Sequence, residues 1–197
     1  MKKFMSIFFV GCLGLFVACN SGTSSQDSVD SAKDVNDSMM SNNDTGTNTM
    51  SATPVSEDDA NWAVEVANAG MTEVELSKVA QEKATSQRLK DFANMMVSDH
   101  GQANDQLKQI AATKNITLPA NLSDASQKKL DDLNKKTGKD FDKQYMDDML
   151  SDHKGAVDKF QKASNDLKDP DLKSFAEQTL PKIQVHLDSI KAISGKK

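Results

Sequence analysis

MMVSDHGQAND at residues 95–105 and DMLSDHKGAVD at residues 148–158 are two copies of one pattern. Each copy has a Met four places before a His, Ser-Asp directly ahead of that His, and an Ala and an Asp three and five places beyond it. The chain has only three histidines, so two of them sit in this repeat. Around the first copy, Leu89, Phe92, Ala93, Met96, His100, Ala103, Leu107 and Ile110 recur at three- and four-residue steps, the mark of one helix face. Around the second, Phe141, Tyr145, Met149, His153, Ala156, Val157 and Phe160 do the same. The pattern predicts helices over about 86–113 and 139–167, each with its His on the apolar stripe. Asp99, about 100° around from His100, falls on the flank. Asp147, Asp148 and Asp152 face away from the second stripe.

Two more long helices flank these. Ser56, with Asp59 three residues on, opens one over about 57–84. Its stripe (Ala63, Val66, Ala67, Gly70, then Leu76, Val79, Ala80, Ala84) is irregular. Thr72-x-x-Glu75 is a second capping signal, predicting a break or restart near Gly70, with Glu75 better suited to a cap than to a site. The last helix opens at Asp169-Pro170 and carries Leu172, Phe175, Ala176, Thr179, Ile183, His186, Leu187 and Ile190 on one face. Pro181 should kink it and Gly195 should end it. Between the second and third long helices lie a loop with Pro119 and a short polar helix over about 123–136, closed by Thr137-Gly138. No stretch reads as a strand. The fold expected is all-α: a ferritin-like four-helix bundle whose long connection, about 25 residues with its own short helix, implies a single crossover.

The N-terminus reads differently. Lys2 and Lys3 precede an apolar run of about 15 residues, short for a membrane span and suited to a signal peptide over 1–18. Phe16-Val17-Ala18-Cys19 followed by Asn20-Ser21-Gly22 is the pattern of a bacterial lipobox, so Cys19 is expected to be lipidated and to anchor the protein to a membrane. Asn20, in place of Asp, favours the outer membrane of the cell envelope. Residues 19–55 are rich in Ser, Asn, Asp and Thr, with no aromatic residue, and are expected to be a disordered tether. The folded domain is then 56–197. A net charge of −5, with no basic stripe, excludes nucleic acid as a partner. A protein partner leaves no readable mark.

Helix arithmetic places the histidines. His100 and His153 are each about 14 residues, or about 21 Å, into their helices. His186 returns to within about a turn of the same height, and so does Glu73 on the first helix. Three imidazoles and a carboxylate are thus expected at mid-bundle. Buried imidazoles need partners, and one metal ion would satisfy them together. Di-iron carboxylate chemistry needs Glu-x-x-His, but Val97, Leu150 and Ile183 stand three places before the histidines. A single ion on His100, His153, His186 and Glu73 suits zinc, iron or manganese, with copper a weaker fit despite Met96 and Met149.

The run from Asn68 through Pro119, with Phe141–Phe160 and Leu172–Leu187, is similar to the bacterial domain-of-unknown-function family 4142 (DUF4142). The matching motifs are Glu73-Val74 before Leu76-x-x-x-Ala80, Phe92-Ala93-x-x-Met96-Val97-x-Asp99-His100, Leu118-Pro119, Phe141-Asp142-x-x-Tyr145 with Asp152-His153, and Leu180-Pro181-x-x-x-x-His186-Leu187. The resemblance implies a ferritin-like domain in an outer-membrane or secreted protein, with Glu73, His100, His153 and His186 at the family's polar positions. It implies no activity.

The expected function is that of a lipid-anchored envelope protein whose bundle binds a metal ion or small ligand, in a role such as stress tolerance. A metal-dependent redox or hydrolytic enzyme is the alternative. A structural or partner-binding bundle with metal-free histidines is the third reading. No catalytic residue stands out, and binding is favoured over catalysis.

Overall fold

The computed structural model describes residues 26–42 and 55–196. The expected signal peptide, Cys19 and much of the expected tether lie outside them. Six helices make up the described chain: α1 Ser28–Asn42, α2 Glu57–Lys83, α3 Gln87–Lys114, α4 Asp124–Asn134, α5 Gly138–Asp166 and α6 Pro170–Ser194. There is no strand among the described residues. None of these helices is long and apolar enough to cross a membrane.

The caps explain most boundaries. Ser56 Oγ accepts from the Asp59 amide at the start of α2. Asp169 accepts from the amides of Asp171 and Leu172, with Pro170 at the first helical position of α6. Gly138 opens α5 rather than closing α4, at a φ of 59° that a glycine adopts without strain. The expected break at Gly70 does not occur, and α2 runs through it. The Asn104 side chain of α3 approaches so closely that a Cβ at position 70 would lie 2.1 Å from its Oδ1. Gly70 is therefore a packing residue. Thr72 donates to the Asn68 carbonyl and bonds Ser126 of α4, so it caps nothing.

Direction follows from three contacts between helix ends. The Thr85 amide, in the α2–α3 turn, donates to Asp142 at the start of α5. Arg88, at the start of α3, donates to the Ala192 carbonyl near the end of α6. Lys114, at the end of α3, pairs with Asp169 and Asp171 at the start of α6. Thus α3 and α5 run parallel, and α2 and α6 run opposite to them. The connection carrying α4 crosses the length of the bundle, giving the ferritin-like single crossover.

One expectation fails. Residues 28–42, assigned to a disordered tether, form α1 and dock on α2 and the α3–α4 loop. Composition alone suggests too little apolar area to order this segment. Polar contacts do much of the ordering instead. Asn36 is 1% exposed, donates to the Thr117 carbonyl and accepts from the Thr117 amide. Asp27 accepts from the Asp124 amide and so caps α4 from a distance.

The core has two apolar halves. One gathers Ala60–Ala67, Leu107, Ala111, Phe160 and Leu172–Ile183. The other gathers Leu76–Ala84, Leu89–Met96, Phe141–Leu150 and Leu187–Ile190. Between them in sequence, on the four long helices in turn, stand the buried residues Glu73, His100, His153 and His186.

Candidate metal centre

These four residues meet in the middle of the bundle and all four are buried. The imidazole centroids lie 5.6 Å apart for His100 and His153, 5.1 Å for His100 and His186, and 5.4 Å for His153 and His186. One nitrogen from each ring comes within 4.8 Å of the others.

The opposite edge of each ring is held by the protein. His153 Nδ1 lies 2.9 Å from the Met149 carbonyl. A carbonyl only accepts, so Nδ1 carries the hydrogen and Nε2 is a bare lone pair. That Nε2 is buried and has no hydrogen-bond partner. His100 Nδ1 lies 3.0 Å from Glu73 Oε2, and Glu73 Oε1 lies 3.6 Å from His153 Nδ1. His186 Nε2 lies 2.9 Å from Asp99 Oδ2. His100 Nε2 faces His186 Nδ1 at 3.2 Å. His153 Nε2, His100 Nε2 and His186 Nδ1 are thus the nitrogens free to turn inward.

Burial governs the charges. It pushes His100 down to about 4 and holds His153 and His186 below their ordinary value, so the imidazoles are neutral near pH 7. It also pushes Glu73 up to about 7, against the pull of His153. Neutral imidazoles are the form that binds a metal.

The structure brings together all four residues expected at the site, but Glu73 sits behind the rings rather than among the converging nitrogens. Asp99, expected on the flank, is a partner of His186. Asp152, expected to face away, pairs with Lys129 of α4 and lines the same cavity as Glu73 and His100. Glu75 is apart from the site, paired with Lys78 on the surface of α2. Met96 and Met149 pack their side chains in the second apolar half. Two cavities reach the layer: a polar one of about 170 Å³ between α3 and α6, lined by Asp99, Gln102, Gln106, Gln178 and Lys182, and a larger, more apolar one beside Glu73 and His100.

The family profile described as "Domain of unknown function (DUF4142)" matches residues 44–193, and the chain belongs to that family. No curated protein matches it. Among solved structures it is similar to a DUF305 fragment from Deinococcus radiodurans, with a TM-score of 0.65 and 12% identity, covering 73% of this chain and 99% of that one. It is also similar to CopM in its Cu(I)-bound form, with a TM-score of 0.58 and 18% identity, covering 68% of this chain and 93% of that one. The Cu(II)-bound form of CopM gives the same TM-score and coverage at 16% identity. At these identities the likeness is one of fold.

Proposed function

We propose that this member of a family of unknown function is a metal-binding protein, holding one divalent transition-metal ion on His100, His153 and His186 at mid-bundle. The observation that supports the reading best is His153 Nε2, a buried lone pair without a partner and within reach of two more imidazoles. An unpartnered buried acceptor is costly, and a cation relieves it. The 3.2 Å between His100 Nε2 and His186 Nδ1 is close to the spacing of about 3.3 Å expected of two nitrogens on one tetrahedral zinc. Glu73, Asp99 and the Met149 carbonyl then act as the outer partners that fix each ring's tautomer and raise its basicity.

Three imidazole nitrogens favour zinc and copper(II) over manganese and iron. The copper-bound forms of CopM lend support to copper on a similar fold. No thioether lies among the converging donors, which weighs against Cu(I). The Cys19 lipobox supports an anchored location at the outer membrane, with the bundle held at that surface.

The test is elemental analysis of protein purified without a metal-affinity tag and incubated with Zn(II) or Cu(II). About one equivalent of metal is expected, lost in His100→Ala, His153→Ala and His186→Ala. A correctly folded chain that stays metal-free after both incubations would overturn the reading.

A further inference from the structure

The three converging nitrogens are enclosed: His153 is 0% exposed, His186 2% and His100 9%. An ion bound there has to pass between helices to arrive and to leave. The two cavities that reach the layer offer a cation different surroundings. The larger, of about 410 Å³, touches His100 alone of the three histidines and is walled in good part by Val66, Phe160, Phe175 and Ile183. The smaller, of about 170 Å³ between α3 and α6, is bordered by both His100 and His186. A hydrated ion sheds water only where polar groups replace it, so apolar walls resist its passage.

The smaller cavity supplies such groups along a line. Because α3 and α6 run in opposite directions, Gln106, six residues after His100, and Gln178, eight before His186, lie on the same side of the histidine layer. At the helical rise they stand about 9 and 12 Å along the bundle from it. The Gln178 amide nitrogen donates to Ser174 Oγ at 2.9 Å and that of Gln102 to Ser98 Oγ at 3.5 Å, which leaves both side-chain carbonyl oxygens uncommitted. At the inner end Asp99 holds His186 Nε2 with Oδ2, while its Oδ1 has no donor among the described residues. One group opposes a cation. Lys182 lines the same cavity, is exposed, and has no anionic partner among the described residues.

We propose that the polar cavity between α3 and α6 is the passage by which a divalent metal ion enters and leaves the histidine site, drawn by Asp99 and retarded by Lys182. The inference rests on the metal reading above. Lys182 sets the rate of exchange without being a ligand, because its ammonium repels an ion in the passage more strongly than one on the nitrogens beyond it. Asp99 also orients His186, so its loss would alter affinity and rate together. The charge of Lys182 is the cleaner handle.

Zinc and copper contents after incubation are measured first, for the protein and its variants, and the ion that binds is carried forward. Its uptake by the metal-free protein, and its release to excess chelator, are then followed by stopped flow with a chromogenic chelator at low ionic strength. Lys182→Gln should quicken uptake roughly threefold and Lys182→Glu roughly tenfold, with release quickened too. Added salt should shrink both effects. Gln102→Lys, which adds a cation to the same wall, should slow uptake by a similar factor. Lys129→Gln makes the same change of charge at the larger cavity and should leave the rates as they are. Uptake indifferent to the charge at positions 182 and 102 overturns the inference. So does a rate raised as much by Lys129→Gln as by Lys182→Gln. Faster uptake with slower release also overturns it, since Lys182 would then act on the bound ion and not on its passage. A chain that takes up neither ion overturns the reading beneath the inference, and the contents measured first tell the two failures apart.

Discussion

At His153 the demands of folding and of binding diverge. A fully buried imidazole with one nitrogen unpartnered weakens the metal-free fold, while the same nitrogen is a ready ligand. Glu73 makes the companion case, a carboxylate buried behind the rings that would orient His100. Glu73→Gln keeps an acceptor for His100 Nδ1–H but removes the charge. Metal affinity is expected to fall about 10–100-fold, read by competition with a chelator. The same burial sets the response to acid. All three imidazoles titrate below their ordinary 6.5 in the folded state, His100 at about 4. Between about pH 6.5 and 4 the unfolded chain takes up protons that the folded chain refuses, so stability falls as pH falls. Glu73 works the other way: its folded value is raised from 4.5 to about 7, and its contribution is lost as pH rises through that window. Three imidazoles against one carboxylate leave a net loss on acidification. The melting temperature of the metal-free protein should decline steadily below about pH 6.5, and a flat profile down to pH 4.5 would refute this account. Much of this layer was legible in sequence, because a histidine on an apolar stripe has nowhere to go but inward. The role of Asp99 was not. A residue about 100° off the stripe of its own helix looks outward until a neighbouring helix covers that flank, and here α6 brings His186 to it.

Among the elements, α1 shows what patterning cannot find. Its hold on the bundle runs through Asn36, which reads the Thr117 backbone with both ends of its amide. Asn36→Ala would leave a carbonyl and an amide of the α3–α4 loop without those partners, a loss of about 1–3 kcal/mol. Hydrogen exchange should then show lost protection over residues 28–42 while α3, α5 and α6 keep theirs. Unchanged protection would mean that the remaining contacts, Lys33 with Glu65, Asp27 with the Asp124 amide and the packing of Ala32 and Met40, hold the helix without Asn36. The four long helices were readable to within a residue or two, because each combines a long stripe with a cap. The unbroken course of α2 was not, because Gly70 and Thr72 carry the local marks of an ending. Their partners, Asn104 and Ser126, are 34 and 54 positions away in the chain.

For the whole molecule, the histidine layer divides the core but does not supply it. Each half has its own set of fully buried side chains, with Phe175 and Leu172 in one and Phe141, Tyr145 and Leu133 in the other. Chelation should therefore leave the helical circular-dichroism signal in place while lowering the melting temperature. Restoring metal to a free concentration of about 100 times its Kd should return about 2.7 kcal/mol of stability. Unfolding on chelation would show instead that the ion is structural. The sequence by itself determined the number and length of the four main helices, the ferritin-like order implied by the long crossover, and the common height of Glu73, His100, His153 and His186. Periodicity and length are local quantities, and a helix converts them into positions at a fixed rise per residue. Only the tertiary structure decided which nitrogen of each ring is left free, that Glu73 stands behind the rings, that Asp99 serves His186, and that α1 is part of the fold. Each of these depends on how neighbouring helices are rotated and packed against one another. That rotation is set by interdigitation of side chains far apart in the chain, which no local pattern records.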